Sequence, residues 1–168
     1  MPMQVTARVT RADQAANPYF YVPFEVPEGT TRIDVTLDYA KSADCIIDLG
    51  AFDPRDTGYP TAEGFRGWSG GARSSYFIAT DDATPGYVHG PIPAGRWTVI
   101  LGLYQVPEAG AEVHVTVTLD ASPRPVAPQP SRTCPVRQGD GWYRGDLHCH
   151  TFHSDAKGAP ETLHAAAR

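Results

Sequence analysis

Two histidines two residues apart, His148 and His150, stand in the run Gly145-Asp146-Leu147-His148-Cys149-His150-Thr151-Phe152-His153-Ser154-Asp155. On an extended strand, side chains at i and i+2 share a face. Both imidazoles can therefore reach one metal ion, and Asp146 lies on the same face one step earlier. Asp155 follows on the turn that such a strand would enter. Imidazole and carboxylate together suit a hydrolytic metal site. The bare H-x-H pattern fits two surface histidines, or two core histidines satisfied by backbone carbonyls, just as well. What points to a metal is the carboxylate on either side and the place of the motif where a strand meets a helix.

Neighbouring groups read more plainly. Cys149 points away from the imidazole face by alternation, and as a free cysteine it is expected to behave as a small buried hydrophobe rather than a ligand. His153 falls on the turn and His164 on a helix surface, and neither is assigned a role; Lys157 reads as a solvated loop residue. His89 and His114 belong to the region before the motif and are given no metal role.

The elements that must hold this site in place are a short strand over Asp146–His150, a loop over Thr151–Ala159 and a helix opening at Pro160. Proline suits the first helical position, Glu161 suits the positive helix N-terminus, and Leu163 and Ala167 share one face. A strand, a loop and a helix in that order open an α/β domain, and in α/β barrels the C-terminal strand edge carries the chemistry.

The run Asp146–Asp155 resembles motif I, D-L-H-x-H-T-x-x-S-D, of the polymerase-and-histidinol-phosphatase (PHP) superfamily. The longer run Gly145–Arg168, placed behind a β-rich region and a proline-rich stretch, resembles the CehA/McbA-like branch of its metallohydrolases. The resemblance implies a distorted (β/α)₇ barrel with two or three divalent metal ions, zinc, manganese or iron. It implies hydrolysis of phosphate esters or of carboxyl or carbamate esters. His148 and His150 would ligate one metal, and Asp155 would ligate or bridge to another. Asp146 would orient a histidine through its other ring nitrogen, and Ser154 would shape the turn. Ala156 departs from the family pattern, where glycine often follows the aspartate.

Upstream of the motif the pattern is that of β structure. Ile33, Val35, Leu37 and Tyr39 alternate with Asp34, Thr36 and Asp38, and Val113, Val115, Val117 and Leu119 alternate with Glu112, His114, Thr116 and Thr118. Such runs are strands with one wet face. Trp97–Tyr104 is apolar on both faces and reads as a central strand. Gln4–Val9, Tyr19–Val26, Cys45–Phe52 and Ser75–Thr80 are further strands, separated by turn clusters such as Pro27-Glu28-Gly29 and Pro107-Glu108-Ala109-Gly110. No helix is expected before Pro160. Seven or eight short strands predict an antiparallel β-sandwich or jelly roll. Asp53–Arg73, glycine-rich and without alternation, reads as a long loop that either binds a ligand or covers the sandwich.

Pro123, Pro125, Pro128, Pro130 and Pro135 mark a stiff, extended linker. The expected organisation is a β-sandwich accessory domain over residues 1–120, a linker over 121–141, and the first β-α unit of a truncated PHP barrel over 142–168. Hydrophobic content of 41% supports folded domains rather than disorder. Residues up to Ser122 hold 8 Lys and Arg against 15 Asp and Glu. That acidity argues against nucleic acid or an anionic membrane as partner. Three scattered cysteines form no disulfide framework, and the absence of a signal-like or membrane-spanning apolar run makes the cytoplasm the expected compartment.

The functional expectation is the N-terminal portion of a metal-dependent hydrolase acting on a small-molecule ester, with the sandwich packed on the barrel and little or no turnover from residues 1–168 alone. An amidohydrolase-type barrel also opens with H-x-H; Ser154-Asp155 favours PHP. From a different class, the sandwich by itself would be a ligand- or partner-binding module.

Overall fold

The computed structural model describes residues 2–55, 63–128, 149–151 and 159–161. Its strands follow the alternation. Over Arg32–Tyr39, Ile33, Val35 and Leu37 are buried while Thr36 and Asp38 are exposed. Over Ala111–Asp120, Val113, Val115 and Val117 are buried in the same way. The two runs pair antiparallel with Val35 opposite Val117 and Leu37 opposite Val115. Their apolar sets fall on one face, and a slip of one residue would turn them all to solvent.

In chain order the elements are β1 (Met3–Val9), α1 (Arg11–Ala16), β2 (Tyr19–Val26), β3 (Arg32–Tyr39), β4 (Ile46–Phe52), β5 (Phe65–Trp68), β6 (Ser75–Ala79), β7 (Gly95–Gln105) and β8 (Ala111–Asp120), with a short 3₁₀ turn at Gly70–Ala72. They form two four-stranded antiparallel sheets, ordered β1-β8-β3-β6 and β2-β7-β4-β5. Only β4 and β5 are consecutive strands of the same sheet. Every other connection passes from one sheet to the other, so the hydrophobic faces close on a single core cluster drawn from both. A mainly β, two-sheet architecture is the result, with the layering of a sandwich.

Strand β7 is buried on both sides. Trp97, Val99, Leu101 and Leu103 enter the core cluster, while Thr98, Ile100 and Gly102 point the other way and are buried as well. The second face is covered in part by the side chain of Trp68, which reaches from β5, the edge strand paired with β4, across to Gly102. That edge strand comes from within Asp53–Arg73, where a loop is expected from sequence. Its four residues are too few to show a period, and Gly67 weakens the strand signal further.

The helix α1 is a second departure from expectation. Thr10 and Asp13 form a reciprocal cap, with the Asp13 amide donating to Thr10 Oγ1 (3.2 Å) and the Thr10 amide donating to Asp13 (2.8 Å). The Thr10 hydroxyl and then its amide hold the Asp13 carboxyl below the usual carboxylate range. One capped turn suffices to carry the chain from one sheet to the other, and it buries no residue. Without an apolar stripe it leaves no periodic trace. Among the described residues no helix is long and apolar enough to cross a membrane.

Among the described residues, one charged pair is enclosed in the fold. Arg66 and Asp53 are both fully buried, with Nη1 3.3 Å from Oδ2. Arg66 also donates to the carbonyls of Val88 (3.0 Å) and Pro91 (3.0 Å) and stands 5.0 Å from the Trp97 ring. The half-exposed Arg55 closes on the same carboxylate at 2.7 Å. Charges taken out of water are tolerated only with such partners, and removing one strands the other. Asp53→Ala should lower unfolding stability by about 3–5 kcal/mol. Asp53→Leu/Arg66→Met should recover most of that loss; urea denaturation of the three proteins checks both.

Tyr76 and Tyr87 stack within the core, ring centroids 4.1 Å apart, and burial pushes both phenols well above their ordinary value. The unfolded chain releases these protons near pH 10 while the folded chain keeps them. Their contribution is therefore complete below about pH 10 and is lost as the pH rises beyond it. Urea midpoints should hold steady to about pH 9 and fall above 10, and the fall should be shallower in Tyr76→Phe.

Candidate functional site

Of the residues singled out for metal chemistry, His150 is described; Asp146, His148 and Asp155 lie outside the described residues, as do His153, Ser154 and Lys157. Cys149, His150 and Thr151 are in coil. A strand needs a neighbour to complete its ladder, and among the described residues no strand pairs with these three. Cys149 is exposed, against the expectation of a buried hydrophobe. In coil there is no alternation to turn it towards a core. Pro160 and Glu161 are helical, as their types suggest for a helix start.

His150 is exposed and lies at a groove of about 630 Å³ on the outer face of the second sheet. Ile46 and Asp48 of β4, Trp68 of β5, Tyr104 of β7 and Lys41 line the groove with it. Its floor follows from two glycines. The indole of Trp68 lies across β4 and β7 where Gly50 and Gly102 leave room. A Cβ on Gly102 would come 2.7 Å from the Trp68 ring, and one on Gly50 would come 2.5 Å from it. Glycine inside a strand often marks such a close approach. Tyr19 of β2 meets Trp68 edge-on, centroids 6.3 Å apart at 81°.

The polypeptide after Trp68 is tied down as firmly. Ser69 is buried, its hydroxyl 3.0 Å from that of Tyr87, which donates to the Leu49 carbonyl at 2.9 Å. Lys41 reaches the Gly71 carbonyl. On the rim, Tyr104 is 70% exposed. The walls are thus largely aromatic and aliphatic, with one ammonium and one carboxylate among them.

The described part of Asp53–Arg73 serves mainly to cover the sheet. Arg66, Gly67 and Ser69 are buried, and Trp68 with the turn Ser69–Ala72 lines the groove. The groove itself escaped the sequence reading. Asp48 and Tyr104 stand on the outward phase of their strands, and Gly50 and Gly102 interrupt otherwise apolar strands; together these are the signals that could have located it.

Among the described residues, no three His, Cys, Asp or Glu side chains are grouped to hold a metal ion. His114 is engaged locally, Nδ1 3.0 Å from Thr6 Oγ1 and Nε2 3.2 Å from Glu112. The expectation of metal chemistry therefore rests on the sequence motif at Asp146–Asp155 alone. No protein-family model matches the chain, and no curated protein matches it.

Gly102→Ala should push Trp68 off the sheet and cost about 1–3 kcal/mol, the range for overpacked sites. In a Trp68→Ala background the same substitution should cost much less. Urea denaturation of the four-member cycle, with near-UV circular dichroism reporting the indole, tests this.

Proposed function

We propose that the chain is the N-terminal portion of a PHP-type metal-dependent hydrolase acting on phosphate, carboxyl or carbamate esters, with residues 1–120 as its accessory sandwich. The run Asp146–Asp155 carries the reading. Two imidazoles and a carboxylate within eight positions form a donor set suited to zinc, manganese or iron. In this reading His148 and His150 hold one ion, Asp155 holds or bridges to another, and Asp146 fixes the tautomer of a ligating histidine by accepting from its second ring nitrogen.

Bound there, the ions would supply hydroxide from water near neutral pH and offset the charge that develops on the ester oxygen. The histidines must be neutral and Asp155 ionised to ligate, so metal uptake would release protons. Further carboxylate and histidine ligands, and the rest of the barrel, are needed to complete the site.

The outer-face groove favours a second reading, in which the sandwich is a ligand- or partner-binding module. Binding by the sandwich that persists in chelator would favour it over the first.

The test is metal content, with hydrolysis of phosphodiester and carboxyl-ester substrates, for the protein encoded by the whole reading frame beside its His148→Ala/His150→Ala variant. Two or three ions per chain, with both metal and turnover lost in the variant, is the expected result. A metal-free and inert parent, or a variant indistinguishable from it, would overturn the proposal.

A further inference from the structure

We infer that β1 is a self-association edge: two copies of the chain pair antiparallel along Met3–Val9, about a two-fold axis at Thr6, and join their first sheets into one. The two sheets end in four edge strands, β1 and β6 in the first, β2 and β5 in the second. An edge strand presents a row of unpaired amides and carbonyls, which a protein must close off or use.

Three of these edges are closed or interrupted by the chain itself. Along β6, the Ala79 amide donates to the Asp82 carbonyl (2.8 Å), the Thr84 amide to the Phe77 carbonyl (3.0 Å) and the Phe77 amide to Thr84 Oγ1 (2.9 Å). Along β5, the Trp68 amide donates to the Gly86 carbonyl (3.3 Å) and the Val88 amide to the Arg66 carbonyl (2.8 Å). Strand β2 carries Pro23 in its middle, opposite Thr98 of β7. Having no N–H, proline takes the outward phase of an edge strand and removes one donor there. Tyr19, on the same phase, gives its amide to Asn17 Oδ1 at 2.9 Å.

Strand β1 has neither a proline nor, among the described residues, a covering segment. All seven of its residues pair with β8, and no described residue bonds to the backbone on its other side. Its apolar row is left half-covered as well. Met3, Val5 and Ala7 pack on the core yet stay partly exposed, whereas their partners Val117, Val115 and Val113 on β8 are at most 2% exposed. A strand added beside β1 would cover that row.

The strand fits its own copy. In an antiparallel pair centred on Thr6, Val5 stands opposite Ala7 of the other copy, Gln4 opposite Arg8, and Met3 opposite Val9. Residues of like parity meet, so outward amides face outward carbonyls along the whole strand. Apolar side chains fall together on the core face and polar ones on the outer face. Arg8, the one charged residue of the strand, meets a neutral amide. The contact uses the same patch on both copies and so closes at two. This self-complementary register singles out a second copy over a strand from another protein.

The pairing goes beyond the hydrolase reading and does not depend on it. It is measured by sedimentation equilibrium of the 168-residue chain under reducing conditions, which keep the exposed Cys149 from cross-linking copies. One strand pair makes a small, transient interface, so the series runs from about 10 μM to about 1 mM chain. The parent should pass from the 18.2-kDa chain to twice that mass. Gln4→Lys sets an ammonium opposite Arg8 twice in the dimer and should weaken association about three- to tenfold. Gln4→Glu sets a carboxylate there and should tighten it by a similar factor. Net charge alone predicts the reverse, since the chain carries −5 and an added lysine lowers the mutual repulsion. Gln4 is exposed, so both variants should keep the parent's far-UV circular dichroism. Thr36→Lys, exposed on β3 of the same sheet, adds the same charge and should not weaken association. A parent that stays monomeric throughout would overturn the inference and leave the edge to a strand of another protein. So would a dimer that both Gln4 variants shift in the same direction, or that Thr36→Lys weakens as much as Gln4→Lys does.

Discussion

Strand β7 has to be covered on both faces, and much of the molecule is arranged around that requirement. Its run from Trp97 to Leu103 presents apolar groups alternately to the two sides, and all of them are buried. One side is met by the other sheet, with β8 and β3 contributing Val113, Val115, Val117, Ile33, Val35 and Leu37 to the shared core. The other side has no sheet to face. It is closed by side chains of its own layer: Phe52 and Phe65 in edge contact at 5.4 Å, and Trp68 laid over Gly102.

That second covering produces the features of interest. Pairing β5 to the edge of β4 carries Arg66 inward, where it can be held only by a carboxylate and carbonyls. Asp53 with the Val88 and Pro91 oxygens supplies them. The same movement brings Trp68 down between Gly50 and Gly102 and leaves a groove at its edge. The enclosed ion pair and the open groove are therefore two ends of one short strand, and their geometries are linked through its backbone.

Residues 121–128 are bonded along the sandwich, so the first part of the proline-rich stretch is fixed to it. In the hydrolase reading, this gives the accessory domain a mechanical part. Ligands to a metal must be held within a few tenths of an ångström, and a short β-α unit is marginal until something packs against it.

Strand positions were legible in the sequence because side-chain alternation is a local property. Tyr19–Val26 appears with its expected bounds, and Trp97–Tyr104 is recognisably central from its apolar faces. The motif at Asp146–Asp155 is read from residue type and spacing alone, and most of it lies outside the described residues. Elements stabilised without a period were not. The helix α1 rests on a cap and buries nothing, and β5 is short and broken by Gly67. Cys149 and His150 lie in coil and exposed because a strand's identity depends on a neighbour, which no local pattern specifies. By itself, then, the sequence determined the β character and the apolar faces of the strands. Tertiary structure alone decided that Trp68 would lie on Gly102, that Asp53 would receive Arg66, and that His150 would stand beside Asp48 and Tyr104. These contacts join residues far apart in the chain, and burial selects them only once both sheets have closed.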